Sequence, residues 1–349
     1  MGEFASMARL IRPSTPEDAA AIVSLLTGVG LRPNVDAPHL YWKYWRPRAD
    51  RPGPRSFVLS DDNEVLAHGA NIHSTCIWEG RRLSTVHVID WAARAGEIGA
   101  GVALMKHIGQ SSTLLAIGGS AQTLRILPYI GFRSAGTVTG YVRTLHPLRL
   151  LRSGGDAPWR RLPRLARGVA ATFPRLRSPD SDWQAQHVAA SDLRSIAAVL
   201  PMPARGMASM ERSLDEFSYS LDCPIAPMQL YAIKKTDRTK GYFMLAYAPG
   251  QVRIADCWID SQDPADWRTM IRLATEQSRR DPNAAEVVAW ANDPLLAQAL
   301  LTCGFRARHQ TVVQLRPASG AALPGAPLRV QMLDNDAAYL HEGRNEFWT

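Results

Sequence analysis

The sequence predicts an α/β (α+β) chain built as two mixed-sheet units in tandem, each with helices on both faces of its sheet. Three observations lead there. Apolar runs of strand length alternate with helix-length amphipathic segments, which places both element types in one layered core. The order of those segments recurs after a break rich in arginine and proline near the middle of the chain. The length, 349 residues at 46% hydrophobic content, is too great for one small core and suits two.

The elements follow in order. Residues 1–6 (MGEFAS) read as a cloning scar, with Met7 as the start. A short strand at Leu10 leads to a helix start in which Thr15 caps, Pro16 takes the first helical position and Asp18 closes a capping box. Residues 40–45, LYWKYW, cluster aromatic rings about Lys43. Strands are expected over 56–60, 65–72, 75–78 and 84–89. The last of these runs into a small-residue turn, Arg94-Ala95-Gly96-Glu97-Ile98-Gly99-Ala100-Gly101, and then a helical pattern over 102–108. Such a turn cradles an anion, because successive N–H groups and the helix dipole favour negative charge. Glycine there lets a phosphate approach the N–H groups. A strand over 114–117, a helix over 123–130 and a strand over 137–143 complete the first half.

The turn is neither GxxxxGK[ST] nor a clean GxGxxG. It resembles the [QR]-x-x-G-x-[GA] pyrophosphate loop of the GNAT acyltransferases, with Arg94 first, Ile98 at the apolar position and Gly99 last. Glu97 stands where the family has its first glycine. Residues 120–132 resemble the family's N-x-x-A-x-x-x-Y-x-x-x-G-F ending, with Ser120 at the Asn position, Leu127 at the Tyr position and Gly131-Phe132 closing. The opening strand and cap, and the WKY patch at 42–44, are also similar to the family's. The resemblance implies a GNAT fold in which coenzyme A lies against the end of the central strand, its pyrophosphate on the next helix. The cofactor contacts would be Ile89, Arg94, Ala95, Gly96, Glu97, Ile98, Gly99, Ala100, Gly101 and Ser120. Trp42, Lys43 and Trp45 would line the acceptor cleft, or serve in the core.

Acyl transfer to an amine needs a held thioester, a proton acceptor and a donor for the leaving thiolate. Many relatives carry a carboxylate nine residues before the [QR] position, where this chain has Thr85. His87 shares a strand face with Thr85 and titrates near neutrality; a core histidine is the competing reading. Asp90 at the strand end is a second candidate base, or a turn cap. His68 and His73 on neighbouring strands are further candidates. Leu127 cannot donate a proton, and Tyr129 points elsewhere on its helix.

In the second half, 187–200 repeats the strand–cap–helix opening. Strands over 230–234, 241–247 and 252–259 follow, then a helix over 267–279, a strand over 287–289, a helix ending in Gly304-Phe305 and a strand over 311–315. Asp260, Asp263 and Asp266 replace the glycine turn, and their charge would repel a pyrophosphate. This copy is therefore expected not to bind CoA. Asp256 stands near the family's strand-carboxylate position, as a third catalytic candidate that would reach the acceptor. The domains are drawn as 7–145 (CoA-binding), 146–182 (linker), 183–317 (degenerate copy) and 318–349 (linker and tail). The tail resembles those of tandem acetyltransferases found with polysaccharide-assembly enzymes.

The net charge of +8 is concentrated: nine arginines and one carboxylate lie between Arg143 and Arg177. With Trp159, Leu162, Leu165 and Phe173 among them, the segment suits interdomain packing or a peripheral contact with an anionic membrane. DNA or RNA is disfavoured, since no nucleic-acid motif accompanies the charge. Four scattered cysteines imply buried thiols, no metal and a cytoplasmic setting. No apolar run is long enough to span a bilayer. The expectation is a CoA-dependent N-acyltransferase, with acetyl-CoA or another acyl-CoA as donor and a small-molecule or sugar amine as acceptor, an amino sugar in polysaccharide assembly. The alternatives are a Fem-type aminoacyl transferase using aminoacyl-tRNA and a non-catalytic GNAT-fold binding protein.

Overall fold

The computed structural model describes residues 9–61, 64–152, 182–202, 206–341 and 347–349. Most of the linker drawn at 146–182 lies outside the described residues. The chain divides into two compact units, one of residues 1–135 and 313–326, the other of residues 136–312 and 327–349.

In the first unit, β1 (Leu10–Pro13), β2 (Ser56–Asp61), β3 (Glu64–Trp78) and β4 (Arg81–Ala93) form an antiparallel run. β5 (Thr113–Ile117) joins β4 in parallel. The two strands expected over 65–72 and 75–78 are one, because His73 and Ser74 carry no turn signal and stay paired with β4. The chain reverses only at Glu79-Gly80, both at positive φ (48° and 73°), which is the twist that a two-residue hairpin needs. Asp18 accepts from the Thr15 N–H at 2.8 Å, closing the expected capping box before α1 (Ala19–Gly28). α1 buries Ile22, Leu25 and Leu26 on one sheet face, beside Val58, Ala70 and Ile89. α3 (Ala100–Ile108) buries Leu104, Met105 and Ile108 on the other, against Val86 and Val88. A four-residue helix α2 (Ala37–Leu40) runs directly into a π-turn over Tyr41–Trp45. α4 (Ala121–Ile126) follows β5, capped by Ser120.

The second unit repeats the plan. β6 (Arg133–Thr144) enters it from residue 136, and β7 (Trp183–Val188), β9 (Met228–Lys235), β10 (Arg238–Ala248) and β11 (Gln251–Ile259) form its antiparallel run. β12 (Glu286–Ala291) joins β11 in parallel and β6 antiparallel. Short strands β8 (Ala208–Met210) and β14 (Leu328–Arg329) pair in parallel, and α5 (Leu214–Leu221) follows β8. α6 (Pro264–Arg279) and α7 (Pro294–Thr302) pack Trp267, Ile271 and Leu300 onto Ile254, Phe243 and Val287. The helix expected within the strand–cap–helix reading of 187–200 is a 3-10 stretch, Ala190–Val199, interrupted at Asp192.

The closing strands are exchanged between the halves of the chain. Residues 139–144, drawn from the sequence into the first copy, pair with β12. The end of β13 (Arg306–Arg316), drawn into the second copy, pairs through Val313–Arg316 with β5. Periodicity reveals a strand and is silent about which sheet edge it joins. Arg143, read with the charged linker, is a buried β6 residue whose guanidinium donates to the Cys303 carbonyl. Burial holds it down at about 10, with Arg279 adding to the effect. No helix among the described residues is long and apolar enough to cross a membrane.

Candidate functional site

The centre of the first unit is a break in β4. It pairs with β5 only from Thr85↔Thr113 to His87↔Leu115, and beyond that the two strands part. On the other edge, Ala70 faces Ile89 while His68 faces Ala92, so Asp90 and Trp91 oppose the single Gly69. That is a β-bulge. Asp90 takes a φ of +49°, a left-handed conformation that costs a non-glycine residue on the order of 1 kcal/mol.

Buried polar contacts hold this bulge. Lys43 Nζ lies 2.6 Å from Asp90 Oδ2, and the Tyr44 hydroxyl donates to the same oxygen at 2.7 Å. The π-turn makes this double contact available to consecutive residues of the YWKYW run. Arg55 fixes the turn by donating to the Trp42 and Arg46 carbonyls at 2.9 and 2.7 Å. Burial pushes the Asp90 carboxyl up; Lys43 and the Lys43 and Tyr44 hydrogen bonds outweigh it, and the group ends below its ordinary range.

A second chain of hydrogen bonds reaches the Asp90 backbone. Trp45 Nε1 donates to Ser14 Oγ (2.9 Å), which donates to Ser56 Oγ (2.5 Å). Ser56 Oγ lies 2.9 Å from His68 Nε2, and His68 Nδ1 lies 3.0 Å from the Asp90 carbonyl. A carbonyl only accepts, so Nδ1 carries the proton and Nε2 accepts from Ser56. Every donor then points the same way along the chain. The arrangement requires a neutral ring, and burial lowers His68 to about 4.

After Ala93 the chain enters the glycine turn. Gly96 and Gly99 adopt φ of +90° and +85°, and a Cβ on either would meet nothing within 4 Å, so the turn is open to an incoming group. The N–H groups of Gly101 and Val102 lie in the first turn of α3, where no intrahelical acceptor exists. The Glu97 carboxylate is turned to Arg9 at 2.8 Å, and Arg94 is paired with Glu64. Ile98 is 97% exposed at the turn's tip. Ser120 Oγ accepts from the Thr123 N–H at 3.1 Å, as a helix cap. The turn therefore presents N–H groups and open space with its one carboxylate neutralised, which fits a pyrophosphate.

The structure brings Lys43 and Asp90 together, with Ile89 on the strand between Asp90 and His87. His87 is buried, beside Ile72 and Leu115. Trp42 is buried and stacks on His39 at 5.8 Å. Trp45 feeds the serine–histidine chain. Leu127 is buried and Tyr129 is 91% exposed. Sequence reasoning missed Tyr44, Ser14 and Ser56. The first was legible as part of the aromatic patch; the serines carried no signal.

Asp256 lies in the second unit, wholly buried. Arg212 grips it through Nε and Nη2 at 2.9 and 3.0 Å, and the Tyr242 hydroxyl donates to it at 2.7 Å. Arg212 also reaches Asp334 at 2.7 Å. As folded, this carboxylate has no face open to an acceptor amine.

Two stability predictions follow from these networks. Arg212→Ala strands two buried carboxylates and should lower the unfolding free energy by about 3–5 kcal/mol in denaturant titration; a loss well under 1 kcal/mol would show that the network contributes little. His68 binds a proton more readily unfolded, near 6.5, than folded, near 4. Its contribution is therefore complete above pH ~6.5 and is lost as pH falls towards 4, about 3 kcal/mol in all. The depressed Asp90 carboxyl acts at lower pH still. Urea unfolding between pH 7 and pH 4 should show this slope in the native chain and a shallower one in His68→Gln.

No family model matches the chain, and no curated protein matches it by sequence. Solved structures do match. A GCN5-related N-acetyltransferase from Anabaena variabilis aligns over 89% of this chain and 73% of its own, at 13% identity and TM-score 0.56. A GCN5-related N-acetyltransferase from Kribbella flavida aligns over 90% and 72%, at 13% identity and TM-score 0.52. Saccharomyces cerevisiae N-myristoyltransferase with bound myristoyl-CoA aligns over 90% and 84%, at 11% identity and TM-score 0.61. The fold of this chain is thus that of the GNAT acyltransferases.

Proposed function

We propose that the chain is a CoA-dependent N-acyltransferase whose catalytic unit is the first one. The donor is acetyl-CoA and the acceptor an amine, an amino sugar of polysaccharide assembly. The parting of β4 from β5 after His87, followed by an open glycine turn at the start of α3, carries the reading. An extended amide-bearing chain would find the freed edge of β4 near Ile89, and a pyrophosphate the N–H groups of Gly101 and Val102 at the start of α3, since those of Glu97, Ile98 and Ala100 already donate within the turn. The similarity to acyl-CoA-binding folds supports this; the amino-sugar acceptor rests on the resemblance of the tail. A cytoplasmic place, with peripheral membrane contact through the arginine-rich linker, belongs to the same reading and rests on charge alone.

Bound acyl-CoA supplies a thioester acyl carbon at the bulge. Asp90 is suited to receive the amine there. Its Oδ2 is taken by Lys43 and Tyr44, and its side chain remains 13% exposed. Oδ1 can accept an N–H from the acceptor, which attacks as the neutral amine after its ammonium proton has gone to solvent. The nitrogen loses its second proton as the N–C bond forms, when it is far more acidic than a free ammonium, so a carboxylate with a depressed pKa is basic enough to take it. His87 is the second candidate for that proton. With Leu127 in place of a tyrosine, water must protonate the leaving thiolate, which favours slow turnover.

Two experiments test the proposal. Calorimetry with CoA, acetyl-CoA and longer acyl-CoAs should give saturable binding that Gly99→Asp abolishes while the fold survives by circular dichroism, since the change adds bulk and negative charge at the phosphate. Unchanged affinity would remove the central claim. Asp90→Asn or His87→Gln should lower kcat by roughly 10²–10⁴-fold with acyl-CoA affinity nearly unmoved. Full activity in both places the proton acceptor elsewhere. CoA binding with no transfer to any amine points to the binding-protein alternative, which Leu127 favours.

A further inference from the structure

The second unit contains a cleft of the same design as the first, and something already fills it. β11 pairs with β12 from Gln251↔Glu286 to Ile254↔Ala289 and then parts from it, as β4 parts from β5. A bulge follows at once: Leu245 faces Ile254 and Met244 faces Asp256, leaving Ala255 unopposed. The first unit's bulge lies three residues beyond its last parallel pair, and this one immediately beyond. On the exposed edge past such a bulge, backbone N–H and C=O groups need partners.

Here those partners come from the chain's own tail. The Cys257 N–H donates to Gln331 Oε1 at 3.0 Å. The Cys257 carbonyl accepts from Gln331 Nε2 at 3.0 Å and from Arg329 Nη2 at 3.0 Å. On the opposite wall, Asn292, just past β12, donates to the Leu328 carbonyl at 2.7 Å and accepts from the Val330 N–H at 3.0 Å. Each residue from Leu328 to Asn335 is buried. The carboxamide of Gln331 offers strand β11 one donor and one acceptor, the pair that an amide of an extended cofactor would offer. Arg329 also stacks on Trp258, 4.4 Å from the ring centroid.

The helix end beside the cleft is closed too. At the start of α6, Asp263 Oδ1 accepts from the Ala265 N–H at 2.8 Å, and Asp266 accepts from Ser261 Oγ at 2.7 Å. These carboxylates occupy the place where α3 offers open N–H groups, so an anion is excluded by charge as well as by contact.

We infer that residues 328–335 are a built-in occupant of the second unit's cofactor cleft, with the Gln331 carboxamide standing in for a cofactor amide. The folded chain therefore has one acyl-CoA site and one cleft that holds its own tail. The inference rests on the reading of the first unit as the CoA-binding one.

Calorimetry on the full chain should give one equivalent of CoA, and Gly99→Asp should leave none. Two equivalents in the native chain, of which Gly99→Asp removes one and leaves the other, would overturn the inference while sparing the CoA reading. Amide hydrogen exchange decides it even if no CoA binds. The Cys257 and Val330 amides should be protected in the ligand-free chain, remain so at saturating CoA, and Gln331→Leu should speed exchange at Cys257 by about tenfold or more. Rapid exchange at both amides in the native chain, or release of residues 328–335 by CoA, would overturn it. Because the native chain is read first, a variant that fails to fold leaves the test intact.

Discussion

A largely buried carboxylate at a bend in the central strand is the constraint around which the first unit is arranged. Asp90 sits in a left-handed conformation at a bulge, where burial opposes its charge. The bulge is useful because it turns a strand edge away from its neighbour, and it survives only if the charge and the backbone there are both satisfied. Lys43 and Tyr44 satisfy the carboxylate, and His68 satisfies the carbonyl. Removing one partner of such a pair leaves an uncompensated buried charge, typically worth about 3–5 kcal/mol. The aromatic patch is thus tied to the strand by electrostatics as much as by packing. Its π-turn, with one residue more than an α-helical turn, is the local irregularity that brings both side chains to one oxygen.

The serine–histidine chain shows how a histidine can matter at neutral pH without titrating. His68 is useful as a neutral ring of one tautomer, relaying the orientation of Trp45, Ser14 and Ser56 to a peptide bond of the bulge. Protonation would give the ring two donors and set it against the Ser56 hydroxyl. Its low pKa follows from the burial that makes it a rigid support.

Local signals in the sequence held up well. The T-P-x-D cap, the strand–glycine turn–helix of 86–108 and the two Gly-Phe helix endings are set by neighbours a few residues apart, and each reads directly. What was hidden are contacts made at a distance. Tyr44 and Asp90 are 46 residues apart, and nothing in either segment names the other. Lys43 and Asp90 were legible as separate candidates, for a cleft wall and for a base; their pairing joins the two and takes up Oδ2 of Asp90. The bulge had no signal, because an aspartate at a strand end reads equally as a turn cap. The exchange of closing strands was invisible for a related reason: β6 and β13 have ordinary strand patterns, and their edges are chosen by the sheets they meet.

The two units apply one grammar to different ends. Each has a central strand that parts from a parallel neighbour, a bulge, and an aspartate held by a cation and a tyrosine: Lys43 and Tyr44 on Asp90, Arg212 and Tyr242 on Asp256. The difference lies in what faces the bulge. In the first unit the turn beyond it carries glycines at positive φ and open N–H groups. In the second it carries aspartates that cap their own helix, and Gln331 meets the strand edge. Arg212 reaches past Asp256 to Asp334, so the cation that steadies the second bulge also fastens the segment filling the cleft. Asp334 in turn accepts from the Gln331 N–H at 2.8 Å. The side chains that hold the second bulge thus also hold the segment against it, and Asp256 is wholly buried there, whereas the Asp90 side chain in the first unit keeps 13% of its surface exposed.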